Sequence, residues 1–124
     1  MNPAQNPFKS RGGPGRLLNA TRYSLSGLRW AWKHEAAFRQ ELALLCAGVA
    51  AVWWLELPRG QALVLIGSLV FVLIVELLNS AIEAIVDLVA PEAHPLAAAA
   101  KDLGSAAVMT SLGLAGAIWV ITLI

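Results

Sequence analysis

Apolar positions dominate three stretches of the chain, Leu42 to Leu57, Ala62 to about Val89, and Ser105 to Ile124, and each reads as a helix able to cross a bilayer. The first is short for a span of about 20 residues, and the preceding segment from Glu35 to Glu41 extends it at the interface. Upstream, Leu17, Leu18, Thr21, Leu25, Leu28, Trp32 and Ala36 share one helical sector, with Arg22, Arg29 and Lys33 on its flank. That is the pattern of a basic amphipathic helix lying in the membrane surface, with Ser24, Ser26 and Gly27 as points where it can break. Residues 1–15 combine three Pro, three Gly and two basic residues with one large apolar side chain, a composition that predicts a disordered leader. The expected organisation is a leader over 1–15 and a membrane domain over 16–124. The domain holds a surface helix at about 17–33 and transmembrane helices at about 34–57, 61–89 and 102–124, an all-α membrane protein.

The apolar pattern is interrupted in one place. Within the second span, Glu76, Asn79, Ser80, Glu83 and Asp87 fall in a sector of about 100°, while Leu77, Leu78, Ile82, Ile85 and Val86 occupy the rest of the circumference. A carboxylate in lipid costs on the order of 2.5 to 3.5 kcal/mol on insertion scales, so this stripe must face protein, water or a cation. At 1.5 Å per residue Glu76 lies roughly 22 Å along the helix from Gln61 and Glu83 roughly 33 Å. Three thin helices are not expected to surround such a stripe, which points to an oligomer.

Composition agrees with the pattern: 58% of the 124 residues are hydrophobic and 14% charged, with a mean hydropathy of +0.67. An ordinary soluble domain is excluded. The formal net charge of +1 conceals an asymmetry, because Lys9, Arg11, Arg16, Arg22, Arg29, Lys33 and Arg39 all precede the first span. The positive-inside rule then puts the amino terminus in the cytoplasm, the 56–61 connection outside, the 90–104 connection inside and Ile124 outside. Trp53, Trp54 and Trp119 would sit near the outer interface, where indole rings are favoured. Anionic head groups account for the basic residues more economically than nucleic acid does. No cleavable signal peptide is expected, since the basic region is too long and no small-residue cleavage pattern follows the first apolar run.

Several residues carry bland readings. Cys46, the only cysteine, reads as a small packing residue, and His94, between Pro91 and Pro95, as a solvated loop residue. Ala106, Thr110, Gly113, Gly116 and Ala117 in the third span are of the size that lets helices approach closely in lipid. Glu35 and Arg39, spaced i, i+4, could form an interfacial salt bridge that fixes helix depth.

The remaining polar residues permit chemistry. Glu35, Glu76 and Glu83, joined by Asn79 and Asp87, offer hard oxygen ligands suited to Mg²⁺, and Lys101 with Asp102 adds a cation and a carboxylate at a similar depth. These are the parts that phosphoryl transfer needs, but cation transport or a proton relay would use similar residues. No GxxxxGK[ST] loop, kinase-type Gly-rich loop, HRD or DFG occurs, so a nucleotide site here would be unlike those of the common soluble kinases.

Three ordered motifs, EAAFRQE (Glu35 to Glu41), ELLNSAIEAIVD (Glu76 to Asp87) and AKDLGSAAV (Ala100 to Val108), resemble those of the small integral-membrane diacylglycerol kinases of bacteria, a family that includes undecaprenol kinases. The resemblance covers about Tyr23 to Ser111. It implies a multi-pass protein of the bacterial inner membrane, a homotrimer of three-helix protomers with an amino-terminal surface helix and active sites shared between subunits. It implies transfer of phosphate from ATP, with Mg²⁺, to the primary hydroxyl of diacylglycerol at the cytoplasmic face, giving phosphatidic acid. By that resemblance Glu76 is the catalytic base and Glu35 and Glu83 are metal ligands. Glu35, Glu83, Lys101, Asp102, Asp87 and Arg16 are assigned to the nucleotide. Asn79, Glu76, Ser24, Arg39, Gln40, Glu41 and Ser105 are assigned to the lipid substrate. Undecaprenol is the nearest alternative substrate, and a small oligomeric cation or drug transporter the alternative of another class. A non-catalytic membrane subunit would leave the polar stripe unexplained. The chain departs from the family pattern at the plain Ala97 to Ala100 run and in its Pro/Gly-rich leader.

Overall fold

A computed structural model describes residues 13–124, so residues 1–12, most of the expected leader, lie outside the described part. Among the described residues the structure is entirely helical: α1 Pro14–His34, α2 Ala36–Trp54, α3 Arg59–Val89 and α4 Pro95–Leu123. The described residues divide into two compact units, 13–34 and Glu35–Ile124. Helix α1 begins at Pro14, whose fixed φ suits the first turn of a helix. Inside α1 the hydroxyls of Thr21 and Ser24 donate to the carbonyls of Leu17 and Ala20, and the Ser24 to Gly27 segment is helical without a break. Its last turn carries the stacked rings of Trp30 and His34, with centroids 4.4 Å apart.

The second unit holds three helices, α2, α3 and α4, each long and apolar enough to cross a membrane. Helix α3 is the central one, packing against both α2 and α4. Helix α2 starts abruptly because Glu35 is extended, with φ −116° and ψ 104°. It ends in a Schellman turn: Glu56 N–H donates to Trp53 O and Leu57 N–H to Val52 O, with Glu56 left-handed at φ 51°. A glutamate is unusual where glycine is favoured, and the left-handed backbone costs it about 1–2 kcal/mol. The turn lies at the start of the expected 56–61 connection, and Arg59 and Gly60 already belong to α3. Helix α4 starts at Pro95, seven residues before the expected span. His94 causes this: its ring nitrogen Nδ1 accepts from Leu96 N–H at 3.1 Å and caps the helix, so it is more than a solvated loop residue.

Leu69, Val72 and Ala115 form the small apolar core, with Leu45 and Trp119 packed against it. Gly48 lets α2 approach, since a Cβ there would collide with Leu69 and lie 3.1 Å from the Trp119 ring. Trp119 was expected at the outer interface with Trp53 and Trp54. Those two are 80% exposed, whereas Trp119 donates its indole N–H to Leu65 O and Ser68 Oγ, both at 3.2 Å, tying α4 to α3. The expected close-packing glycines are also redistributed: Gly113 and Gly116 meet nothing within 4 Å among the described residues, while Gly48 and Gly104 make the close approaches. Large apolar side chains such as Leu63, Leu88, Leu103, Met109 and Ile121 lie more than two-thirds exposed along the long helices. This suits a hydrocarbon solvent.

Candidate active site

The polar stripe of α3 turns inward. Glu76 is 4% exposed, Asn79 8% and Ser80 4%, so a single chain buries this part of the stripe. The close approach is local: α4 comes within the space of a missing side chain at Gly104. A Cβ there would collide with the Asn79 carboxamide oxygen and stand 3.2 Å from its Cγ. No sequence signal other than the glycine itself, in AKDLGS, marks this position. Farther along the stripe Glu83 is half-buried and Asp87 exposed.

From α2 the Glu41 side chain, 8% exposed, lies beside Glu76 of α3. Glu35 and Glu83 are near enough to act on Glu76 through space. Asn79 Nδ2 donates to Glu83 Oε1 at 3.4 Å, one turn away along α3. Three carboxyl groups, of Glu35, Glu41 and Glu83, and the Asn79 carboxamide are thus gathered around Glu76. Within this cluster Glu41 Oε2, Asn79 Oδ1 and, beside them in sequence, Ser80 Oγ are buried without a hydrogen-bond partner. Leaving such a group unpaired costs about 1–3 kcal/mol.

Nearer the α3–α4 connection, Lys101 Nζ meets Asp87 Oδ1 at 2.6 Å. Both side chains are substantially exposed, which limits the pair to about 0–1 kcal/mol and leaves the lysine available to a more highly charged anion. Glu83 also lies within electrostatic reach of Lys101, so the two clusters adjoin. Asp102 and Ser105 are exposed on the first turns of α4, and Gln40 is exposed on α2. Arg39 is half-buried on α2. Arg16 and Ser24 belong to α1 and are exposed there. Among the described residues no group of three His, Cys, Asp or Glu side chains is disposed to enclose a metal by itself. Glu35 and Glu83 are carboxylates whose hard oxygens would suit Mg²⁺, were it brought to the site.

The chain as a whole has close relatives among known proteins. The family model of prokaryotic diacylglycerol kinase matches residues 22–123. A diacylglycerol kinase of Pseudomonas aeruginosa is 46% identical over 119 residues, covering 96% of this chain and 95% of the relative. The Escherichia coli K12 diacylglycerol kinase is 46% identical over 108 residues, 87% of this chain and 88% of the relative. A diacylglycerol kinase of Helicobacter pylori is 40% identical over 121 residues, 96% and 92% of the two chains. With the model matched along most of its length and relatives agreeing over nearly all of theirs, the chain belongs to the prokaryotic diacylglycerol kinase family.

Proposed function

We propose that the chain is an ATP-dependent lipid kinase that phosphorylates the primary hydroxyl of diacylglycerol to give phosphatidic acid. The observation that carries the reading is a buried carboxylate, Glu76, about 10 Å along α3 from Glu83, with Lys101 and Asp102 beyond it toward the helix connection. A lipid alcohol whose tails stay in hydrocarbon can bring its hydroxyl to Glu76, and a water-soluble polyphosphate can reach Lys101. Glu76 accepts the hydroxyl proton as the oxygen attacks the terminal phosphorus. Asn79 holds Glu83 and offers its carboxamide to the lipid head. Lys101, released from Asp87, binds the phosphate chain, and Asp102 and Arg16 serve the nucleotide. Glu35 and Glu83 would hold Mg²⁺ brought with ATP, which neutralises the polyphosphate and the charge developing in transfer. Ser24, Arg39, Gln40, Glu41 and Ser105 are assigned to the lipid side.

The amphipathic α1 would lie in the membrane surface, with the amino terminus and the 90–94 connection cytoplasmic and the 55–58 turn outside, in a bacterial inner membrane. The functional unit would be a homotrimer with shared sites. Gly113 and Gly116, open within the chain, give α4 a surface on which a partner helix can pack closely. Purified protein in mixed micelles with Mg-ATP, offered diacylglycerol or undecaprenol, tests the reading. Diacylglycerol should be the better acceptor. Preference for undecaprenol would change the substrate, and transfer to neither would end the reading.

A further inference from the structure

Asp87 takes no part of its own in the proposed transfer, yet it touches a group that does. It stands in the last turn of α3, and its Oδ1 accepts from Lys101 Nζ at 2.6 Å across the connection to α4. Lys101 is the cation assigned to the phosphate chain, so its charge is already met by a carboxylate of the same chain. Other cations are scarce. Among the described residues of the second unit the remaining Lys and Arg side chains are Arg39, on α2, and Arg59, which opens α3 at its far end. Glu83 acts on Lys101 through space, but its Oε1 is engaged by Asn79 Nδ2. The ion pair is open to its surroundings, with 45% of the Lys101 side chain and 66% of the Asp87 side chain exposed. Anions in water and head groups at the membrane surface can therefore compete for the lysine.

We infer that Asp87 is an internal competitor for Lys101, holding the lysine in the empty site, yielding it to the terminal phosphate of ATP, and reclaiming it from the phosphorylated lipid. Asp87 is thus a positioning residue on the nucleotide side that acts through Lys101 and favours product release. The inference deepens the lipid kinase reading and rests on it. An exposed ion pair shifts an affinity by at most about fivefold, and the attraction of one lysine to an anionic head group is of the same order. Mg-ATP is held at several points, so its terminal phosphate meets Lys101 at a high effective concentration and displaces Asp87. After transfer that phosphate is on the lipid, and the rest of the nucleotide leaves as ADP. The product keeps only its own phosphate against Lys101, and Asp87, fixed one helix away, can take the lysine back. A lysine without this partner would retain phosphatidic acid in the place that ATP needs.

The test uses the purified full chain in mixed micelles. Asp87→Asn keeps the shape and removes the charge, whereas Asp87→Glu keeps the charge. Binding of a Mg-ATP analogue whose terminal phosphate cannot be transferred, with no lipid alcohol present, should tighten about two- to fivefold in Asp87→Asn. In Asp87→Glu it should stay within about twofold of the parent. Inhibition of turnover by added phosphatidic acid should strengthen in Asp87→Asn by a similar factor. In a Lys101→Met background the same Asp87→Asn change should leave nucleotide binding unaltered, because the competition has lost its object. A gain that persists without Lys101 would overturn the inference and reduce Asp87 to a diffuse negative charge. Weaker nucleotide binding in Asp87→Asn would overturn it as well, making Asp87 a direct support of the nucleotide, and so would unchanged product inhibition. A parent that phosphorylates neither lipid alcohol would remove the proposed function, and the lipid-free binding comparison would still decide the competition for Lys101.

Discussion

Gly104 has no functional group, yet the structure makes it a determinant of the active site. A methyl group on its Cα would collide with the buried Asn79 carboxamide, which cannot retreat into solvent. Gly104→Ala must push Asn79 aside or part α4 from α3. Overpacking of this kind costs about 1–3 kcal/mol, and the helix propensity gained on replacing glycine by alanine returns about 1 kcal/mol. Net destabilisation should thus be no more than about 2 kcal/mol, and the protein should fold. Asn79 also donates to Glu83, so its displacement disturbs the proposed metal side of the site, and turnover should fall by about 10²-fold for a shift near 1 Å. Gly67→Ala is the control, because nothing lies within 4 Å of the added carbon among the described residues. The assay is lipid phosphorylation in mixed micelles, with thermal unfolding in parallel. In an Asn79→Ala background the added Gly104→Ala change should cost little more, since the clash is gone. Full turnover in Gly104→Ala, or a loss that is independent of Asn79, would refute the reasoning.

Three further outcomes are expected. Glu76→Gln should lower the turnover rate by roughly 10²- to 10⁴-fold with little change in the Mg²⁺ requirement, whereas Glu83→Gln should raise the Mg²⁺ concentration needed and recover partly at high metal; the reverse pattern in a metal titration would exchange their roles. Mixing inactive Glu76→Gln and Asp102→Asn subunits should restore part of the activity if sites are shared between chains, and no restoration despite proven subunit exchange would put each site within one chain. Glu56→Gly should raise thermal stability by up to about 1–2 kcal/mol, because glycine adopts the left-handed backbone of that turn without the side-chain cost; an unchanged or lowered midpoint would mean the glutamate contributes compensating contacts.

The helices were legible because their signal is long and periodic. The α3 stripe of Glu76, Asn79, Ser80 and Glu83 follows from 100° per residue alone, and its inward orientation follows from the cost of a carboxylate in lipid. Turn positions were less legible. Glu56 carries a left-handed backbone that its residue type disfavours, and His94 caps α4 through a hydrogen bond that its proline neighbours do not advertise. The packing between helices was hidden for another reason. Gly48, Gly104, Gly113 and Gly116 look alike along the chain, and only the neighbouring helices decide that the first two are filled spaces and the last two open ones. The proximity of Glu41 to Glu76 brings together residues 35 positions apart on different helices, where helical periodicity carries no information.

The account rests most heavily on Glu76 as the group that takes the proton when phosphate passes to a lipid hydroxyl. Purified parent protein and Glu76→Gln, given Mg-ATP labelled in its terminal phosphate and diacylglycerol in the same micelles, test it directly through label recovered in phosphatidic acid. The parent should transfer label to the lipid, and the variant, equally folded and equally able to bind Mg-ATP, should do so at least about 10²-fold more slowly. Label transfer at the parent's rate by Glu76→Gln would contradict the account.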